Sequence, residues 1–261
     1  MKKNNCFRIG FAVFTLLGAV LQCLAVLLSY HANSNYFDRG SLLPILAIIF
    51  ALLGAVCGTV SAILTKSTEL RNEPFSKGFS LSPMVIGFVA VAAIFIRLDF
   101  QISTVITAAL LLLAAIYAVL ASIPKLRKTA LPIFTGFFAI AALVALNAHY
   151  YFDMTVEMNA PLKITTQIAL LCIMISITGE LRYLLNKQMP RTFLAVSAWV
   201  VSIGALSAIA TPLAYLTGKT DRLDFAVGGV LILCGVLTSI FRMLILFRAP
   251  TPIEEPTTIN L

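Results

Sequence analysis

Apolar residues fill the chain in long stretches, and charged residues and prolines gather between them. Each stretch is about 20 residues long, which as an α-helix at 1.5 Å per residue covers the ~30 Å hydrocarbon core of a bilayer. Because that core offers no water to bond an exposed backbone, the stretches are predicted to be helices. The eight predicted spans are Ile9–Tyr30, Leu42–Thr65, Leu81–Leu98, Gln101–Ile123, Leu131–Tyr150, Leu162–Leu185, Thr192–Leu216 and Phe225–Phe247.

The composition supports this interpretation. Apolar residues make up 60% of the 261 residues and charged residues only 11%, whereas about a quarter of the residues of a soluble domain are charged. Too few polar side chains are present to cover a globule in water. This excludes a soluble enzyme, a nucleic-acid-binding module and a disordered chain. We therefore expect an all-α polytopic membrane protein that has the lipid bilayer as its partner and does not bind nucleic acid.

The two ends of the chain differ in character. The basic start, Met1–Lys3, precedes about 20 apolar residues without a small-residue cleavage pattern, so we expect a retained first helix and not a secretory leader. Residues 249–261 are rich in proline and are expected to form a disordered cytoplasmic tail.

Basic residues are distributed unevenly between the predicted loops. Fourteen of the 19 Lys and Arg residues lie at the two termini or beside the loops after the second, fourth and sixth helices. Cytoplasmic loops collect Lys and Arg, so both termini are predicted to be cytoplasmic, and the net charge of +8 needs no nucleic acid to explain it. The other five basic residues are Arg39, Arg97, Lys163, Lys219 and Arg222.

Two short sequences, YFD and RLDF, each occur twice, four predicted helices apart and at predicted external helix ends. We predict that residues 1–128 and residues 129–248 are two four-helix transmembrane repeats. Since four is even, the repeats would be parallel, with their symmetry axis along the membrane normal. Coincidence in an apolar sequence of low diversity is the alternative. The matching segments are Tyr36–Asp38 with Tyr151–Asp153, and Arg97–Phe100 with Arg222–Phe225.

The external loop Asn35–Pro44, with the sequence NYFDRGSLLP, carries a family resemblance. Together with the eight-helix layout, it resembles a group of uncharacterised eight-helix integral membrane proteins of Firmicutes bacteria. The resemblance implies a bacterial cytoplasmic membrane and brings no known activity.

The predicted external face gathers most of the informative polar side chains, and we predict a ligand-binding outer vestibule there. Arginine forks clamp anionic groups by paired hydrogen bonds, and His with Asp could ligate a divalent metal, although we predict no metal site. The alternative is that Tyr and His occupy the headgroup region and that each Arg pairs with its neighbouring Asp. The predicted vestibule residues are His31, Tyr36, Asp38, Arg97, Asp99, His149, Tyr151, Asp153, Arg222 and Asp224.

Charged residues are rare inside the spans. Glu180 and Arg242 lie at similar depth near the inner ends of the sixth and eighth helices, and we predict an ion pair between them. The proposed duplication aligns Tyr117 with Arg242, so the pair would belong to one half only. Either proton or ion coupling or a structural tie between two helices would account for it. In the seventh helix, Pro212 predicts a kink.

The sequence lacks a phosphate-binding GxxxxGK[ST] loop, an HExxH motif and a GxSxG motif. Asp221 and Asp224 have a DxxD spacing, but a single external pair is weak support for catalysis. We predict no catalytic residues and no cofactor. Whether the protein is an enzyme is left undecided, and the missing motifs argue against it. The leading hypothesis is a small secondary transporter or solute-binding membrane component in which one half rocks against the other. The alternative is a non-transporting structural or accessory protein that partners other membrane proteins.

Overall fold

The computed structural model describes residues 2–31, 34–65, 82–98, 102–127, 129–185 and 189–246. The predicted tail and Asp99 lie outside these residues. The described chain is all-α apart from one two-stranded antiparallel hairpin, β1 (Tyr30–His31) and β2 (Tyr36–Phe37), which pairs Tyr30 with Phe37.

Ten helices are present in the described residues, several of them with proline in the first turn, where a missing N–H leaves no hydrogen bond unmade. They are α1 (Lys2–Ser29), α2 (Leu43–Leu64), α3 (Ser82–Leu98), α4 (Ile102–Ser122), α5 (Pro124–Arg127), α6 (Leu131–Phe152), α7 (Pro161–Leu184), α8 (Pro190–Ala208), α9 (Ala210–Leu216) and α10 (Leu223–Leu246).

Seven stretches of helix are long and apolar enough to cross a membrane, with α8 and α9 together forming one of them, Pro190–Leu216. Large apolar side chains on their outer surfaces are exposed, as lipid-facing residues are. The chain is therefore a multi-pass membrane protein. The third predicted span is a shorter apolar helix, Ser82–Arg97, so the prediction of eight spans stays a prediction.

The helix α8 lies at the centre of the packing, in contact with α1, α2, α7 and α10. A chain of contacts then runs from α10 through α3, α4 and α6 to α7. Small residues allow the closest approaches: Gly54 of α2 lies against Thr15 and Ser202, whose hydroxyls are 2.8 Å apart, and Gly58 faces Ala198. The GxxxG sequence of α2 therefore packs within this chain.

The predicted kink at Pro212 is confirmed as a break between α8 and α9. Proline has no N–H to bond the carbonyl four residues earlier, and its ring clashes with that carbonyl. The helix is interrupted at Ile209, and Thr211 Oγ1 donates to the Ser207 carbonyl at 2.7 Å.

The two halves of the chain do not make the same helix contacts. In the second half α7 packs on α8, whereas α2 and α3 make no extensive contact in the described parts of the first half. The prediction of two parallel repeats therefore rests on the sequence matches.

Contacts divide the helix ends into two sets. Asn4, Arg8 and Arg191 meet at Thr65, the residue that follows α2. At the other end, Tyr36 bonds Asn159 and Arg222 pairs with Asp153. We call these the basic end and the mixed-charge end.

Candidate functional site

Arg222 is the centre of a polar cluster at the mixed-charge end. It directly precedes α10 and forms a two-pronged contact with Asp224, with Nε 3.0 Å from Oδ1 and Nη2 2.7 Å from Oδ2. The same Nη2 is 2.5 Å from Asp153 Oδ2, and Nη1 donates to the Thr155 hydroxyl. One guanidinium therefore joins the start of α10 to the loop after α6.

Asp153 ends α6 and is held on several sides. Its Oδ1 accepts hydrogen bonds from the Thr155 amide (3.0 Å) and hydroxyl (2.7 Å), while its carbonyl accepts one from Lys163 Nζ at 2.8 Å. Burial alone would raise the pKa of Asp153, but the hydrogen bonds from Arg222 and Thr155 outweigh burial and hold that pKa below its usual value. Asp153 therefore stays ionised at neutral pH.

Two aromatic residues at the end of α6 lie beside this cluster. The hydroxyl of Tyr150 donates to the Asp224 carbonyl at 2.8 Å, and its ring stacks on Phe225 with centroids 4.8 Å apart. His149 Nε2 is 3.7 Å from Asp224 Oδ2, and its ring lies edge-on to Phe95 of α3. His149 thus bridges the charged cluster and the apolar interior.

A cleft of about 510 Å³ opens beside the cluster, between the start of α4 and the end of α6. Asp153 and Arg222 are among the residues that line it. Its volume lies within the ~300–1,000 Å³ range typical of small-molecule sites. The other residues that line it are Ser103, Ile106, Thr107, Ala145, Ala148, His149 and Phe152.

Among the described residues, the other predicted vestibule side chains do not line this cleft. His31 pairs with Asp38 on the exposed hairpin, and Tyr36 donates to Asn159. Tyr151 and Arg97 are exposed. Four of the ten predicted residues, His149, Asp153, Arg222 and Asp224, therefore come together, while Asp99 lies outside the described residues.

Hairpin and cluster are nonetheless neighbours, since Tyr30 and Asn35 line a cavity of about 20 Å³ together with Lys163 and Arg222. All of these groups therefore belong to the mixed-charge end.

The described residues contain no group of three His, Cys, Asp or Glu side chains that could hold a metal ion. The carboxylates of Asp153 and Asp224 both contact Arg222 Nη2. A guanidinium thus occupies the position between them.

Towards the basic end, Glu180 and Arg242 form the ion pair that their depth suggested. Both side chains are almost fully buried, at 1% and 2% exposure. Sequence reasoning gave no role to Tyr117, which donates from α4 to Glu180 Oε2 at 2.8 Å. The sequence feature that could have pointed to Tyr117 was its alignment with Arg242 in the proposed duplication.

A cavity of about 10 Å³ adjoins this triad, close to the space that one water molecule needs. The hydroxyls of Ser176 and Thr238, each one helical turn before Glu180 and Arg242 respectively, line it and are buried without a hydrogen-bond partner in the described part of the chain. The interior at this depth is therefore polar but closed.

Searches against known protein families, curated proteins and solved structures find no match to this chain. Function is therefore argued from the geometry of the chain itself.

Proposed function

We propose that this protein is a small secondary transporter or solute-binding component of a bacterial cytoplasmic membrane. The cleft between α4 and α6 is its solute site. The observation that supports this is the position of the cleft, where one helix of residues 1–128 meets one helix of residues 129–248 and both supply polar groups. A site shared by two halves can change as the halves move relative to each other.

The cleft favours a small solute with one polar and one apolar part. His149, Asp153 and Arg222 line the cleft and offer hydrogen bonds, while Ile106 and Phe152 are apolar. Most N–H groups of Arg222 are already committed to Asp153, Asp224 and Thr155. Arg222 therefore mainly holds Asp153, Asp224 and Thr155 in place beside the cleft, and its remaining donor capacity is small.

Eight spans and cytoplasmic termini belong to the same proposal. The helix α3 has 17 residues, or about 25 Å at 1.5 Å per residue. Yet Met84 near its start lines the cavity beside Arg242, and Phe95 near its end packs on His149. It thus runs from the level of the inner ion pair to the level of the outer cluster, as a spanning helix does.

The proposed repeats have diverged in their external ends. The second RLDF sequence supplies the Arg222–Asp224 contact, whereas Arg97 of the first is exposed. The Arg222–Asp153 contact beside the cleft and the Glu180–Arg242 ion pair would then both belong to the second half.

A non-transporting accessory role is the second candidate, and the closed interior favours it. The cavity beside Tyr30, at the mixed-charge end, measures about 20 Å³, and the one beside Glu180, towards the basic end, measures about 10 Å³. Neither has room for more than one or two water molecules. If the protein transports, this conformation is closed towards the basic end.

Thermal unfolding of the purified protein with a panel of amino acids and nucleosides tests the proposal, because a specific ligand raises the apparent unfolding temperature by mass action. Ala148→Phe fills the cleft and is expected to abolish any such shift. Val144→Phe, at an exposed position of the same helix that does not line the cleft, is the matched control and should keep it.

Uptake of the stabilising compound into proteoliposomes then separates transport from binding alone. A transporter is supported if the wild-type protein takes up the compound, the Ala148→Phe variant does not, and the Val144→Phe variant does. If the panel produces no shift, or if Ala148→Phe keeps the shift, the cleft is not the solute site and the accessory role is favoured.

A further inference from the structure

Another cavity, larger than those beside Tyr30 and Glu180, lies at the basic end, at the opposite end of the bundle from the cleft. It measures about 180 Å³ and lies between α1, α2, α8 and α10. Its walls are apolar, formed by Phe11 and Gly58 on one side and by Leu194, Ile240 and Met243 on the other. Leu244, which also lines it, is 58% exposed, so the pocket adjoins the outer, lipid-facing surface.

Basic residues collect at one edge of this pocket. Arg8 lines it, and Arg8 Nη2 lies 3.5 Å from the Thr65 hydroxyl. Arg191, at the start of α8, donates from Nε to the Thr65 carbonyl at 2.8 Å. Two guanidinium groups therefore meet at one buried residue.

The position of Thr65 is fixed by its own helix end. Its amide and hydroxyl both bond the Ser61 carbonyl, and Asn4 links the side chains of Ser61 and Thr65. The basic pair is thus held at a defined place, where α1, α2 and α8 meet.

Arg191 keeps donor capacity for a ligand. Its side chain is exposed, and within the described ranges its hydrogen bond to Thr65 uses Nε alone. The terminal nitrogens Nη1 and Nη2 carry four N–H groups, which match the oxygens of a phosphate.

We propose that an anionic phospholipid binds here, with its phosphate on Arg191 and Arg8 and part of one acyl chain in the pocket. Charge complementarity identifies the headgroup, because basic pockets between transmembrane helices attract anionic lipids. The apolar walls identify the tail, since a pocket open to the hydrocarbon region is filled by lipid and not by water. This site is independent of the proposed solute cleft.

The test uses delipidated full-length protein and measures the unfolding temperature as phosphatidylglycerol or phosphatidylcholine is added in detergent. Phosphatidylglycerol is expected to stabilise the protein at lower concentration than phosphatidylcholine. Arg191→Gln should weaken the phosphatidylglycerol effect roughly tenfold, as expected for the loss of charge-assisted hydrogen bonds. Arg182→Gln, an exposed arginine at the same end on α7, is the matched control and should behave as wild type.

The acyl-chain part is tested separately by Ile240→Trp, which fills the pocket and leaves both arginines in the sequence. It should reduce lipid stabilisation while leaving the lipid-free unfolding temperature near that of wild type. If Ile240→Trp does not fold, Leu244→Phe, which also enlarges a side chain that lines the pocket, takes its place in the test.

Three results would overturn the site: equal effects of the two lipids on wild type, equal losses in Arg191→Gln and Arg182→Gln, or full stabilisation by inorganic phosphate alone. The last would identify a free anion and not a lipid as the ligand.

Discussion

Arg222 and Arg242 show two ways of keeping a cation in an apolar helix bundle. Arg222 lies at a helix end, is 27% exposed and contacts two carboxylates. Arg242 is almost fully buried and pairs with Glu180, which Tyr117 also bonds. An isolated charge at membrane depth costs a few kcal/mol, so each arginine depends on the carboxylates around it.

Removing one member of the buried pair is expected to cost more than removing both. Glu180→Leu or Arg242→Met alone leaves an uncompensated buried charge and should destabilise by about 3–5 kcal/mol. The double variant replaces the pair with apolar side chains and should recover most of that loss. Thermal unfolding of all four proteins in one detergent measures the coupling.

Additive losses would show that the two side chains do not stabilise each other. If the double variant folds and binds the solute of the cleft but no longer transports it, the pair has a coupling role in addition to its structural one.

The Asp153–Arg222 contact predicts a pH dependence. The pKa of Asp153 is lowered in the folded protein, so its ionised form stabilises the fold at neutral pH. That stability is lost as the pH falls below ~4, the ordinary pKa of aspartate, and through the lower folded value. The unfolding temperature of the wild-type protein should therefore fall further between pH 7 and pH 3 than that of Asp153→Asn.

The matched control for this pH dependence is Asp221→Asn, since Asp221 is an exposed aspartate at the same end. It should follow the wild-type curve. An Asp153→Asn curve parallel to that of wild type would mean that the contact with Arg222 contributes no pH-dependent stability.

Residue pairs were predictable from sequence only where both partners are charged. Glu180 and Arg242 share a depth in the bundle, and Arg222 and Asp224 are two positions apart, so both pairs could be predicted. The contacts of Lys163 with the Asp153 carbonyl and of Tyr150 with the Asp224 carbonyl could not. A backbone acceptor is present at every residue and leaves no trace in the sequence.

At the scale of elements, apolar length predicts spans better than it predicts helix ends. The first helix begins at Lys2 and not at Ile9, because its polar first turns extend beyond the apolar stretch and Asn4 and Arg8 bond Thr65. Prolines are more informative. Pro212 correctly predicted an interruption, because the missing N–H acts on the backbone whatever surrounds it.

A glycine of the neighbouring helix α10 packs closely against the start of α9, beside the break between α8 and α9. A Cβ at Gly229 would overlap the Thr211 hydroxyl and lie 2.6 Å from Pro212 Cδ, and neither group can move away easily. Gly229→Ala should therefore destabilise by about 1–3 kcal/mol, the usual cost of overpacking.

The matched control for this substitution is Gly10→Ala, where the nearest atom, Cys57 Sγ, is 3.4 Å away. Its effect should be neutral or slightly stabilising, because alanine is the better helix former. If both substitutions have the same effect on the unfolding temperature, the contact at Gly229 does not support the break.

At the scale of the whole molecule, the sequence predicts that helices cross the membrane but not which helices touch. In lipid, buried and lipid-facing surfaces are both apolar, so hydrophobicity does not identify the packing face. The contacts of α3 with α10 and of α2 with α8 therefore had no sequence signal. The polar cluster around Arg222 did have a sequence signal, because its residues lie near helix ends that share one side of the membrane.

The orientation of the molecule yields the last prediction. Fourteen of the 19 basic residues lie, in the sequence, at the two termini or beside the loops after the second, fourth and sixth predicted helices. The positive-inside rule assigns these loops, and with them the basic end, to the cytoplasm. In a background free of the five native cysteines, Arg39→Cys is expected to react with a membrane-impermeant maleimide in intact cells. Lys125→Cys, also exposed but at the basic end, should react only after permeabilisation.

Labelling of Lys125→Cys in intact cells would reverse the orientation. The cleft would then open to the cytoplasm and the phospholipid site would face the outer leaflet.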